Sequence, residues 1–221
     1  MLVPLKRIAF CKFRVIRTNM NTTTSSKTRK RAYNQTARAE AAEATATRIV
    51  EVFHHLLMTE WYDSVSLDHV AKAAGVTVPT VLRRFGSKEG LLVAVRDKMQ
   101  IETDARRRVT PGDVEAAIEV IISDYEESGD IMLRILAQED RLPALKELAD
   151  FGRVQHRRWI SETFSPQLSV MKPAARELAI DSLMTALDIY VWKVLRCDRG
   201  RSRKEVSQVM GQFVKSILAG Q

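Results

Sequence analysis

The chain has 221 residues, 45% of them apolar and 28% charged, so it can bury a sizeable core and is neither disordered nor fibrous in composition. No apolar run approaches the roughly 18–20 residues needed to cross a bilayer. Cys11 and Cys197 offer no disulfide framework and no metal-ligand spacing, which favours a reducing compartment. The net charge of +8 is unevenly placed: residues 1–38 hold ten basic residues and no acid, leaving 25 basic against 27 acidic residues in 39–221. Such a basic start on a near-neutral body suggests an anionic partner, either nucleic acid or a membrane surface.

In chain order, residues 1–19 mix apolar and basic side chains, and Ile8-Ala9-Phe10-Cys11 is too short for a signal-peptide core. The Arg-rich, acid-free composition has the look of a transit peptide, and Met20 offers an alternative start. Residues 21–36, carrying Lys27, Arg29, Lys30 and Arg31, read as a solvated, disordered arm. Helical periodicity begins at 37–60, where Ala46, Ile49, Val50, Phe53, Leu56 and Leu57 form one stripe. Ser66 is placed to cap a short helix with Leu67, Val70, Ala71 and Ala74 on one face, and Gly75 follows as its left-handed stop. Thr77 is placed to cap a third helix with Pro79 in its first turn, and Ser87 a fourth bearing Leu91, Leu92, Val95 and Met99.

Beyond these, Thr110-Pro111-Gly112-Asp113 leads into an apolar stripe from Val114 to Tyr125. Gly129 is expected to separate that helix from a short segment over 131–136. Pro143 opens another helix that Ser165-Pro166 closes. Residues 173–196 are apolar nearly all round, and Ser202 with Glu205 forms a capping box before a stripe ending at Leu218. The pattern predicts about nine helices and no strand, an all-α fold.

The informative unit is 66–85, two short helices joined by a tight turn and braced by a longer preceding helix, the spacing of a helix-turn-helix. The arc opposite Val81 and Phe85 holds Thr77, Thr80, Arg83 and Arg84. Threonines meet base edges and thymine methyls, while arginines bind guanine or phosphate. Lys88, at the start of the fourth helix, is placed to hold a phosphate together with free backbone N–H groups.

The stretch 49–99 resembles the DNA-binding domain of the TetR family of transcriptional regulators, above all in Ser66-Leu-Asp-His-Val-Ala-Lys-Ala-Ala-Gly-Val-Thr and Phe85-Gly-Ser-Lys-Glu-Gly-Leu-Leu. The resemblance implies DNA contacts at Thr77, Val78, Pro79, Thr80, Leu82, Arg83 and Arg84, with Lys88 on the backbone. Two residues depart from the family pattern: Leu82 stands where a tyrosine is usual, and Trp61 replaces a common glycine before Tyr62. Beside such a domain, Lys27, Arg29, Lys30 and Arg31 are expected to lie along phosphates or in the minor groove.

The expected organisation is a basic arm over 1–36, a helix-turn-helix domain over 37–86, a connecting helix over 87–108, and a helical ligand-binding and dimerisation domain over 109–221. Helices 173–196 and 203–219 are expected to pair with their symmetry mates in a homodimer. Two recognition helices about 34–36 Å apart would then match a palindromic operator in double-stranded DNA. Trp159 and Trp192 are candidate pocket residues for an unidentified small-molecule effector. The connecting helix, shared by both domains, is the expected mechanical link.

Other signals favour bland readings. His54 and His55 are adjacent and point to different sides of a helix, His69 and His156 lack a partner at i+4, and no metal or cofactor is expected. Asp124, Glu126, Glu127, Asp130, Glu139 and Asp140 read as a solvated face rather than as paired acid–base chemistry. No nucleotide loop or nucleophile motif occurs. The expectation is a cytoplasmic, ligand-relieved repressor rather than an enzyme. A regulator controlled by a protein partner is the nearer alternative and a helical enzyme the remote one.

Overall fold

No glycine or proline occurs within residues 25–59, so neither of the strongest helix breakers interrupts a helix there. The computed structural model describes residues 25–220, with side chains from residue 36 onward, and its first helix, α1, runs unbroken over Ser25–Thr59. Residues 25–36, expected as an arm, are therefore helical in backbone. The expectations for residues 1–24 lie outside the described residues. By internal packing the chain divides into residues 1–44 and 45–221. In the first unit the described side chains, 36–44, are all exposed.

In the second unit five of the described helices begin at a side-chain cap. α2 (Leu67–Ala73) starts at Ser66, whose hydroxyl accepts from the His69 N–H at 3.1 Å. α4 (Lys88–Arg106) starts at Ser87, which accepts from Gly90 N–H, and α5 (Val114–Leu136) at Asp113, which accepts from Ala116 N–H. α10 (Arg203–Ala219) opens on the expected capping box of Ser202 and Glu205. Thr77 departs from expectation. It precedes α3 (Val78–Phe85), but its hydroxyl pairs with that of Thr80 at 3.0 Å instead of capping the helix. The remaining helices are α6 (Pro143–Thr163), α7 (Ser165–Leu168), α8 (Pro173–Ala186) and α9 (Ile189–Lys193), the last followed by a π-helical turn over Val194–Asp198. The fold is all-α, with no strand among the described residues.

Two expected boundaries move, for related reasons. Gly129 does not end a helix but lies buried inside α5, where an added Cβ would meet the Trp192 ring at 2.7 Å. The residue is small because an indole lies against it. The expected single helix over 173–196 instead breaks at Leu187-Asp188. There the Asp188 side chain accepts from the Tyr190 N–H at 2.8 Å and starts α9. The break lets Trp192 reach α5, where its Nε1–H donates to Glu126 at 3.1 Å.

The helix-turn-helix core consists of Ile49, Phe53 and Leu57 from α1, Val70 and Ala71 from α2, Val81 from α3, and Leu91, Leu92 and Val95 from α4. The same cluster takes in Ile131 and Ile135 of α5 and Leu145 and Leu148 of α6. The helix-turn-helix half and the larger helical half thus share a hydrophobic core, so α4 is not the sole physical link between them.

Gly90 sets how closely α3 approaches α4. A Cβ there would stand 2.0 Å from the Phe85 carbonyl oxygen, a backbone atom that cannot turn aside. Gly90→Ala is expected to destabilise the protein by about 3 kcal/mol, the upper range for overpacking. Chemical denaturation measures this, and a loss below about 1 kcal/mol would show that the two helices are free to separate.

Candidate functional site

α3 buries Val81 completely and half-buries Val78, Thr80 and Phe85. Thr77, Pro79, Leu82, Arg83 and Arg84 lie on its exposed side. One short helix therefore carries together the α3 residues singled out in the sequence. Gly75 (φ 65°) and Gly86 (φ 76°) make the left-handed turns on either side of it, conformations that side-chain-bearing residues rarely adopt. Leu82, 40% exposed, presents an apolar side chain where the family usually has a phenol.

Lys88 is held differently from a free phosphate ligand. Its ammonium donates to the Tyr62 carbonyl and sits 4.0 Å from the centre of the Tyr62 ring. Burial lowers its pKa, with Glu89 and Asp63 opposing that shift. Tyr62 in turn donates to Glu89 at 3.4 Å, so the start of α4 is tied to the 3-10 turn over Tyr62–Ser64. Trp61, the second departure from the family pattern, is exposed with the Arg134 guanidinium 5.9 Å from its ring centre. Lys27, Arg29, Lys30 and Arg31 fall on the first turns of α1, and their side chains lie outside the described residues.

At the other end of α4 a dense polar cluster borders a cavity of about 180 Å³. Asp124, expected on a solvated face, is 1% exposed. It accepts from Arg106 Nε at 2.6 Å and from Arg107 Nε at 2.7 Å. Two guanidiniums supply the charge and the hydrogen bonds that let a carboxylate remain buried. Arg107 also lies 5.3 Å from the Tyr125 ring centre and 5.7 Å from that of Trp159. The Trp159 Nε1–H donates to the Arg107 carbonyl at 2.9 Å, and the Arg107 guanidinium faces His156 Nδ1 at 3.3 Å. The end of α4 is thereby clamped by α5 and α6.

Arg107, Asp124, Tyr125, His156 and Trp159 all line the cavity, together with Met99 from α4 and Met184 from α8. The structure brings Trp159 to this cavity and not Trp192, which packs in the core beside Tyr125 with ring centres 6.0 Å apart. The sequence does not single out Asp124, His156 and Arg107 as cavity residues. The available signal was the position of Asp124, three residues after Ile121 on the apolar stripe of α5 and so on its buried face.

Burial pushes the His156 pKa down to about 3, with the Arg107 charge acting in the same direction and the Met184 backbone opposing. An unfolded histidine titrates near 6.5. Between these values the unfolded chain binds a proton that the folded chain refuses, so stability falls as pH drops below about 6.5. This group alone is expected to remove about 2 kcal/mol between pH 7 and pH 5. Urea titrations at the two pH values measure it, and His156→Gln should lose that part of the difference. An unchanged pH dependence in the variant would mean that His156 takes up its proton within the fold.

Together these features define a helix-turn-helix fold with a second, cavity-containing helical region. Residues 49–95 match the family described as bacterial regulatory proteins, tetR family. Among solved structures, a transcriptional regulator from Rhodococcus sp. Rha1 superposes with a TM-score of 0.63 at 17% identity, covering 79% of this chain and 96% of its own. A tetR-family regulator from Streptomyces coelicolor gives 0.61 at 20% identity, covering 80% and 89%. A regulator from Saccharomonospora viridis, solved in complex with choline, gives 0.56 at 16% identity, covering 78% and 96%. At these identities the likeness establishes a shared fold. No curated protein sequence matches the chain at a significant level.

Proposed function

We propose that this chain is a dimeric, sequence-specific transcriptional repressor whose DNA binding is relieved by a small molecule held in the cavity at the end of α4. The observation that carries the reading is that the cavity wall and the clamp on α4 are the same side chains. Arg107, Asp124, His156 and Trp159 line the space and hold the C-terminal end of the helix. The other end of that helix packs on α3 through Gly90. α4 has 19 residues and is therefore ~28 Å long. A ligand that prefers one arrangement of the Arg107 cluster biases the position of α4, and with it the match of α3 to the major groove. The size of the response is limited by the ligand's differential affinity for the two arrangements.

In this reading Thr77, Val78, Pro79, Thr80, Leu82, Arg83 and Arg84 face the DNA. The basic residues Lys27, Arg29, Lys30 and Arg31 act on phosphates, and Lys88 joins them only by leaving the Tyr62 carbonyl that it binds in the free protein. The site of action is DNA in the cytoplasm, and the chain regulates rather than catalyses. Dimerisation is assigned to α8 and α10, where Leu178 is 63% exposed and Phe213 46% exposed. A Leu178→Arg, Phe213→Arg double variant is expected to sediment as a monomer, and an unaltered dimer would place the interface elsewhere.

Fluorescence anisotropy on DNA from upstream of the chain's own gene, with random DNA as control, tests the central reading. Binding that prefers the upstream DNA at near-physiological salt is expected. Glutamine at positions 27, 29, 30 and 31 should flatten the salt slope by roughly 0.9 for each phosphate no longer neutralised. Equal, steeply salt-sensitive binding to both DNAs would reduce the protein to non-specific charge attraction at that site.

A further inference from the structure

The chemistry of the cavity wall narrows what the effector can be. Three basic and three acidic side chains line it, and each already has a partner. Arg107 pairs with Asp124, Arg153 with Glu139 at 2.6 Å, and Arg96 with Asp97 at 2.7 Å. Asp104 accepts from Gln100 at 2.7 Å, and Asp188 is occupied by the Tyr190 N–H. An anion would enter without a waiting counter-charge or would have to break one of these pairs, and a cation would find only Asp188, whose carboxylate already caps α9 through the Tyr190 N–H. Either route costs several kcal/mol of desolvation.

Several neutral donors of the wall are spent as well. The Tyr125 hydroxyl donates to the Leu187 carbonyl at 2.8 Å, the Trp159 N–H to Arg107, and the Ser128 hydroxyl to the Asp124 carbonyl at 2.8 Å. His156 differs. A guanidinium only donates, so His156 Nδ1 accepts from Arg107 and the ring proton sits on Nε2. That Nε2 is buried and makes no hydrogen bond of good geometry, although the Met184 backbone lies close enough to favour the protonated ring. An unsatisfied buried donor is costly, and a ligand acceptor would remove the cost. The volume sets the scale: about 180 Å³ is slightly more than the roughly 150 Å³ apolar cavity that accommodates benzene. Met99, Met132 and Met184 supply a wall that adapts its shape.

We propose that the effector is a small, uncharged, largely apolar molecule of about one ring in size, carrying a single hydrogen-bond acceptor that takes the Nε2–H of His156. This rests on the effector-relieved reading above. It is tested on the full chain without DNA, by calorimetry and Trp emission, using four probes of similar size. Acetophenone is neutral with one acceptor, cumene is its hydrocarbon analogue, benzoate is an anion, and benzyltrimethylammonium is a cation.

The expected order is acetophenone first, then cumene, with both ions at least tenfold weaker than acetophenone. In His156→Phe the order of acetophenone and cumene should reverse, because the donor is gone and the hydrocarbon is the more apolar. A thermal melt shows whether that variant folds; if it does not, the order of the four probes on the unaltered chain decides by itself. Tighter binding of either ion, or cumene ahead of acetophenone on the unaltered chain, overturns the proposal. A folded variant that keeps the original order overturns it too. If no probe binds while the chain still prefers its upstream DNA, the ligand class is wrong and the regulator reading stands. Loss of DNA preference with the expected probe order strikes the regulator reading alone.

Discussion

Replacing Asp124 with alanine is expected to lower global stability by about 3–5 kcal/mol, the range for breaking a buried ion pair from one side. The carboxylate is 1% exposed and is shared by Arg106 and Arg107, so its removal leaves two guanidiniums facing each other without their common anion. The exposed partner of Arg106 provides the control. Glu127 lies 3.3 Å from Arg106 and is largely open to solvent, and Glu127→Ala should cost less than about 1 kcal/mol. Urea denaturation of both variants measures the contrast. Equal and small losses would mean that water, rather than Asp124, balances the charge at the end of α4.

On DNA, the largest single effect is expected from Arg83→Ala. Arg83 is exposed in the last turn of α3, away from the buried Val81 face, so its removal should leave the melting temperature unchanged. Removing a bidentate base interaction costs about 1–3 kcal/mol, or roughly five- to 150-fold in affinity. The loss should be greater on the upstream DNA than on random DNA. An equal loss on both, with a shallower salt slope, would assign Arg83 to phosphate instead.

Much of the helix-turn-helix half was legible because its signals are local. Ser66, Gly75, Ser87 and the apolar residues of α2 and α3 act within a few positions of one another, and the structure places their caps and turns as the spacing predicts. Thr77 is the exception there, since two hydroxyls three residues apart can satisfy each other as well as a backbone N–H. The cavity was less legible. Periodicity identifies the inner face of a helix without saying what stands opposite. Trp159 and Trp192 therefore looked equivalent, although one lines the space and the other covers Gly129.

The helical class, the helix-turn-helix and the likeness of residues 49–95 to the tetR family were readable from the chain alone. All of these follow from residue types at separations of three to a dozen positions. Only the tertiary structure decided that Gly129 lies inside a helix, that 173–196 is broken, and that the helix-turn-helix core continues into α5 and α6. It alone joined Asp124 to Arg107 and His156, residues 17 and 49 positions from that arginine. Burial of a charge depends on which distant group meets it, and that choice is made when helices pack rather than when they form.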